Sequence, residues 1–165
     1  MPTVREFREE DWQDVCRIYR QGMDSNLATF ETEVPPYSKW NAGHLPFGRL
    51  VAESDGKVVG WIALSPISGR CCFNGIAEVS IYIANNARHH GIGTALMNAE
   101  IDISERNGLW MLQSCIMRNN EPSLALHKKC GFRVIGIREK MARDPFGQWR
   151  DTVIVERRSP LEIYS

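Results

Sequence analysis

This chain has no long apolar run, no excess charge of either sign, and no cysteine pattern that a disulfide framework or a zinc site would need. Each absence excludes a class of protein. No stretch approaches the roughly 18 apolar residues of a membrane-spanning helix. Met1 to Arg8 is mixed and charged, so a soluble, cytoplasmic protein with no membrane partner is expected. Twenty basic and twenty acidic side chains cancel without forming long runs, which leaves no electrostatic footprint for nucleic acid. The expected partner is a small molecule. The five cysteines, Cys16, Cys71, Cys72, Cys115 and Cys130, are odd in number and irregular in spacing. Most read as small core hydrophobes. A nucleophilic role for Cys71-Cys72 or Cys130 would need a neighbour that lowers the thiol pKa, which a sequence does not display. A length of 165 residues with 43% hydrophobic content suffices for one core, so a single domain over residues 1–165 is expected.

Hydrophobic periodicity predicts a mixed sheet flanked by helices, an α/β (α+β) architecture. Thr3 to Phe7 reads as a strand. Trp12, Val15, Cys16, Tyr19 and Met23 then share one helical face, behind an acidic cluster suited to a helix N-terminus. The segment Asn26 to His44 loses all periodicity and is the kind of long loop that lines binding sites. Leu50 to Glu53 and Val58 to Leu64 flank a Ser54-Asp55-Gly56-Lys57 turn and read as a hairpin. Ile76 to Ala84 alternates Ala77, Val79, Ile81 and Ile83 against Glu78, Ser80 and Tyr82, so its two faces differ in chemistry. A helix follows Gly91 and Gly93 and ends before Gly108; Leu109 to Met117 is a strand; Asn119 to Ser123 opens a helix that Gly131 ends. Phe132 to Met141 and Trp149 to Glu156 are the last two strands, around an Asp144-Pro145-Phe146-Gly147 turn.

The chemistry concentrates between the central strand and the glycine turn. A helix start offers unpaired backbone N–H groups and the positive end of its dipole, and glycines let a phosphate approach them. Gly91 and Gly93 could equally permit tight packing of the turn. The G-x-G-x-x-G fingerprint fails after Gly93 and no G-x-x-x-x-G-K-[ST] run is present, so hydride transfer and nucleotide hydrolysis recede.

Arg88-x-x-Gly91-x-Gly93 after a strand resembles the acetyl-CoA pyrophosphate loop of the GNAT acetyltransferases. Asn120-x-x-Ser123 followed by Leu126-His127-Lys128-Lys129-Cys130-Gly131-Phe132 is similar to that superfamily's second signature. Ala28 to Glu33, Ala77 to Ile83 and Gly147 to Asp151 resemble segments of its phosphinothricin and methionine sulfoximine acetyltransferase subfamily. The resemblance implies a mostly antiparallel, twisted mixed sheet, an acetyl-CoA co-substrate, no metal, and a homodimer. It places the pantetheine arm on Ile81, Tyr82 and Ile83, and the pyrophosphate on Arg88, His89, His90, Gly91, Ile92, Gly93 and Thr94. Asn120 and Ser123 would supply further cofactor contacts. Phe30, Arg70, Glu78, Val79 and Ser80 would face an acceptor amino acid such as methionine sulfone, methionine sulfoximine or phosphinothricin.

An amine attacks a thioester only as the free base, so the site needs a group to remove a proton. Glu78, on the polar face of its strand, is the expected base; the bland alternative is an ordinary strand carboxylate. His127 is a candidate acid for the departing thiolate, or a packing residue on its helix. Arg70 offers a planar fork for the acceptor's carboxylate, or is a solvated loop charge. Phe30, Trp61, Phe73 and Tyr82 could wall an apolar slot, although aromatics at strand spacing are commonly core. Arg150 stands where the subfamily has His, and would either favour a more anionic acceptor or pair with Asp151. Two other functions compete with amino-acid acetylation: transfer to a peptide or protein amine, and a non-catalytic acyl-CoA sensor. The sensor would have no need of Glu78.

Overall fold

The computed structural model describes residues 2–165. In these residues the strands β1 (Thr3–Glu6), β2 (Leu50–Ser54), β3 (Lys57–Pro66), β4 (Ile76–Ile83), β5 (Met111–Met117), β6 (Arg133–Arg143) and β7 (Trp149–Arg158) form one sheet in the order β1-β2-β3-β4-β5-β7-β6. All neighbours are antiparallel except β4 and β5. Four helices accompany it among the described residues: α1 (Trp12–Asp24), α2 (Tyr37–Gly43), α3 (Ile92–Arg106) and α4 (Glu121–Lys129). This is the mixed, mostly antiparallel α/β architecture expected. Helix α2 is the departure from sequence reading: its seven residues lie inside the segment read as loop, and they bury a single residue, Trp40, too few to set up a periodicity.

The alternation on β4 positions the site. Ala77 and Val79 are buried in the core, while Glu78 and Ser80 on the opposite face are half-buried. On the side of the sheet reached by α1, Trp61 of β3 packs against Tyr19, Trp40 and Tyr82, with the Tyr82 ring stacked at 4.9 Å. Gly22 of α1 makes room for that tyrosine, since a Cβ there would sit 2.7 Å from its ring. Trp61 is thus core rather than a wall of the site. On the other side, α3 seats Leu96 against Gly60, where a Cβ would lie 3.1 Å from the leucine.

One core residue breaks the rule that buried charges are paired. Glu100, on α3, is fully buried, and neither carboxyl oxygen has a hydrogen-bond partner among the described residues. Gly48, at φ +72°, lies directly against it: a Cβ there would collide with Glu100 Oε1.

Candidate active site

Strands β4 and β5 pair only at Ile76–Met111, Ala77–Leu112 and Glu78–Gln113. Beyond Glu78 they part, and β4 continues to Ile83 and β5 to Met117 with no ladder between them. A single contact, Ser114 Oγ donating to the Val79 carbonyl at 3.4 Å, spans the start of the gap. The rest of that edge of β4 offers its backbone groups to whatever enters, because an unpaired strand edge is a ready template.

Two cavities meet at this gap. One, of about 330 Å³, is bordered by Ile81, Tyr82 and Ile83 of β4, by the turn residues Arg88, His89 and Gly91, by Ile92, Gly93 and Thr94 of α3, and by Asn120, Ser123 and Lys129 around α4. The other, of about 280 Å³, is bordered by Phe30, Glu78, Val79, Ser80, Cys115, Met117, His127, Met141 and Thr152 among others. They share Ala28, Ile81, Tyr82, Asn120 and Ser123. A molecule threaded through the gap would reach from the turn to Glu78.

At the turn, His89 and Gly91 take positive φ values of 66° and 77°. Gly91 is the N-cap of α3 and no side chain caps that helix, so its first-turn N–H groups face the cavity mouth uncapped. The two glycines divide the labour left open by sequence. Gly91 supplies the left-handed conformation, with no atom within 4 Å of a would-be Cβ. Gly93 supplies packing: a Cβ there would lie 2.9 Å from Leu126 of α4. His90 is exposed and borders neither cavity, unlike its neighbours Arg88 and His89.

Asn120 caps α4 by accepting from the Ser123 N–H at 3.3 Å, and its Nδ2 donates to the Leu27 carbonyl at 3.1 Å. Its polar atoms therefore strap the Asn26–Phe30 segment over the gap. Arg150 pulls the same segment down. Its guanidinium donates to the Asn26 carbonyl at 3.0 Å, to Asp144 at 3.1 Å and to Asn119 at 2.6 Å. The pairing with Asp151 does not occur; Asp151 instead pairs with Arg118 at 3.1 Å and accepts from the Lys140 N–H. With its fork engaged by three loops, Arg150 is a tether and not a free charge for an anionic acceptor.

Among the described residues Glu78 accepts no hydrogen bond, and desolvation pushes its carboxyl up from the ordinary range, while the Arg138 charge draws it partly back. His127 is buried, with Nδ1–H donating to the Ser123 carbonyl at 2.7 Å. Desolvation lowers its pKa. The ring is therefore neutral near pH 7, and Nε2, which has no partner, carries a lone pair. As it stands, His127 is an acceptor; it can act as an acid only after Nε2 has taken up a proton.

Arg70 lies outside both cavities, exposed, with its guanidinium 5.5 Å from the Phe73 ring. Cys71 and Cys72 are exposed beside it, and Cys130 is buried with its thiol pKa pushed up by desolvation, which disfavours the thiolate. The cysteine that does border a cavity is Cys115, on the one that Glu78 lines, 3.9 Å from Met141 Sδ. Among the described residues no group of three or more His, Cys, Asp or Glu could hold a metal, and no helix is long and apolar enough to cross a membrane.

Residues 6–132 match the Acetyltransferase (GNAT) family. The chain belongs to the GNAT acetyltransferases. Phosphinothricin N-acetyltransferase of Alcaligenes faecalis is 33% identical over 94% of this chain and 81% of its own length. A solved ribosomal-protein-alanine N-acetyltransferase from Brucella melitensis superposes with a TM-score of 0.88 at 29% identity, over 95% of this chain and 99% of that one. A GNAT phosphinothricin acetyltransferase from Sinorhizobium meliloti, solved in complex with AcCoA, superposes with a TM-score of 0.85 at 25% identity, over 98% and 94% of the two chains.

Proposed function

We propose that this GNAT enzyme uses acetyl-CoA to acetylate the primary amine of a small amino acid or analogue, of the methionine sulfone, methionine sulfoximine or phosphinothricin kind, by direct attack in a ternary complex. The observation that carries the reading is the junction of the two cavities at the β4/β5 gap, with Glu78 on the acceptor side of it. Pantetheine, running along the unpaired edge of β4 from Ile83 to Ile81, would bring its thioester to that junction. The uncapped N–H groups of α3, Arg88 and Lys129 would receive the pyrophosphate. The Sinorhizobium neighbour with AcCoA supports the cofactor, and the Alcaligenes relative supports a compact amino-acid acceptor.

In this reading the acceptor's ammonium gives a proton to Glu78, and the freed nitrogen attacks the thioester carbonyl. The tetrahedral intermediate then expels the CoA thiolate, which takes a proton. The neutral His127 would take the second proton, from the attacking nitrogen in the tetrahedral intermediate, and return it to the thiolate. Because burial holds Glu78 above the ordinary carboxylate range, it is protonated and idle at low pH. The acceptor kcat/KM is accordingly expected to rise with pH through that raised value, later than for an exposed carboxylate; an acidic limb that is unchanged in Glu78→Gln would contradict Glu78 as base.

The glycine turn gives a second expectation. At φ +77° an alanine in place of Gly91 costs about 1–2 kcal/mol, so Gly91→Ala should weaken acetyl-CoA binding roughly 5- to 30-fold in calorimetry. The acceptor KM should be little changed.

The Brucella neighbour, named for a protein alanine, favours a second reading in which the acceptor is a protein N-terminus. An acceptor cavity of about 280 Å³, strapped over by the Asn26–Phe30 segment, suits a free amino acid better than a peptide. Thiol release from acetyl-CoA across a panel of free amino acids, methionine sulfone, methionine sulfoximine, phosphinothricin and short peptides separates them. Release with one free amino acid or analogue supports the proposal, and release with peptides alone overturns it.

We read residues 1–165 as one domain working in the cytoplasm as a homodimer. The edge strand β6 supports the dimer: Val134, Ile135 and Ile137 are each about 45% exposed, and Phe146 and Trp149 continue the apolar surface. A second copy covering that edge would remove both the patch and the unpaired strand.

A further inference from the structure

Resting on the amino-acid reading above, we propose that Arg138 is the acceptor's carboxylate clamp. An α-amino acid presents its ammonium and its carboxylate on adjacent atoms, so a site that takes the ammonium at Glu78 needs a cation close by on the same side of the sheet.

Strand register puts Arg138 there. It stands directly opposite Thr152 on β7, and Thr152 stands opposite Met117 on β5. Residues directly opposite one another share a face of the sheet. Thr152 and Met117 both border the acceptor cavity, and Arg138 stands next in that row, one strand beyond the lining residues. The same face carries Glu78, through its pairing with Gln113 and of Gln113 with Glu156. The exposed apolar residues Val134 and Ile137 stand opposite Val155 and Val153, on the other face, so covering them would leave Arg138 open to the cavity.

Electrostatics agree. Arg138 is the charge that acts on Glu78. The other arginines nearby are engaged: Arg133 pairs with Glu156, Arg118 with Asp151, Arg150 with Asp144, and Arg143 lies over the Trp149 ring. Arg138 is exposed and has no such partner among the described residues. Glu78 and Arg138 are thus a negative and a positive pole on one face of the sheet, suited to a zwitterion with its ammonium at one and its carboxylate at the other. A planar guanidinium fork can hold both carboxylate oxygens.

The test compares wild type, Arg138→Gln and Arg138→Lys on the amino acid that the wild type acetylates best and on the amine that lacks only its carboxylate. Arg138→Gln should raise the acceptor KM about 10- to 100-fold with kcat within about threefold, and leave the KM for acetyl-CoA unchanged. Arg138→Lys should recover part of the loss. With the decarboxylated amine, wild type and Arg138→Gln should be indistinguishable. An acceptor KM that ignores Arg138, or a loss of equal size with the decarboxylated amine, overturns the clamp while amino-acid acetylation stands. A wild-type enzyme that acetylates no amino acid overturns the acceptor reading and the clamp with it.

Discussion

Glu78→Gln is expected to lower kcat by about 10²- to 10⁴-fold, the range that a positioned general base supplies, while acetyl-CoA affinity stays within about twofold. The substitution keeps the shape of the side chain and removes only its ability to take a proton. It orphans no partner, because among the described residues Glu78 accepts no hydrogen bond, and it removes a carboxyl that burial disfavours as an anion. Fold and cofactor site should therefore survive it. The proposed cofactor contacts lie in the neighbouring cavity, which Glu78 does not border. Loss of acetyl-CoA binding in this variant would show Glu78 to be a structural carboxylate, and unchanged turnover would move the base elsewhere, with the Nε2 lone pair of His127 next in line.

The second large effect lies in the core. Glu100 has an ordinary carboxyl value of 4.5, and desolvation raises it in the fold to about 9. The folded state therefore holds a proton that the unfolded chain releases throughout the interval between those values. The sign follows: stability is greatest below pH 4.5 as far as this group is concerned, and falls as pH rises toward 9. Each pH unit costs about 1.4 kcal/mol, so by pH 7 this one carboxyl has cost the fold about 3 kcal/mol. Glu100→Leu should recover that amount at pH 7, more at pH 8, and much less at pH 5, read as the shift in urea midpoint at each pH. A gain independent of pH would mean that the carboxyl is paired or solvated. Because α3 carries Glu100 and starts at the turn proposed to hold the pyrophosphate, the variant also asks whether a change in the helix core alters cofactor affinity.

Much of this was legible in the sequence, for identifiable reasons. Strand β4 announced itself because one of its faces is buried and the other is not, so Val79 and Glu78 alternate in type as they do in exposure. The glycine turn was legible because a left-handed N-cap admits few residues other than glycine. The roles of Arg70 and Arg150 stayed open in the sequence for one shared reason. Their roles depend on which loops meet in space, and residues 124 apart, such as Asn26 and Arg150, leave no local signal of their hydrogen bond. Cys115, Met117 and Met141 escaped because a side chain bordering a cavity has the same composition as one bordering the core. Arg138 had a signal only in retrospect, through its register with Thr152, which needs the pairing of β6 with β7 to be known. Glu100 was not singled out by the sequence, because an acidic residue between Ala99 and Ile103 reads as ordinary for an amphipathic helix until its burial is known.

The central claim is that the cofactor and the acceptor meet across the β4/β5 gap. A crystal structure with acetyl-CoA and methionine sulfone tests it directly. The account predicts pantetheine hydrogen-bonded along β4 between Ile83 and Ile81, its thioester at the gap, and the acceptor nitrogen within hydrogen-bond reach of Glu78. Pantetheine lying outside the gap, or an acceptor nitrogen bound away from Glu78, would contradict it.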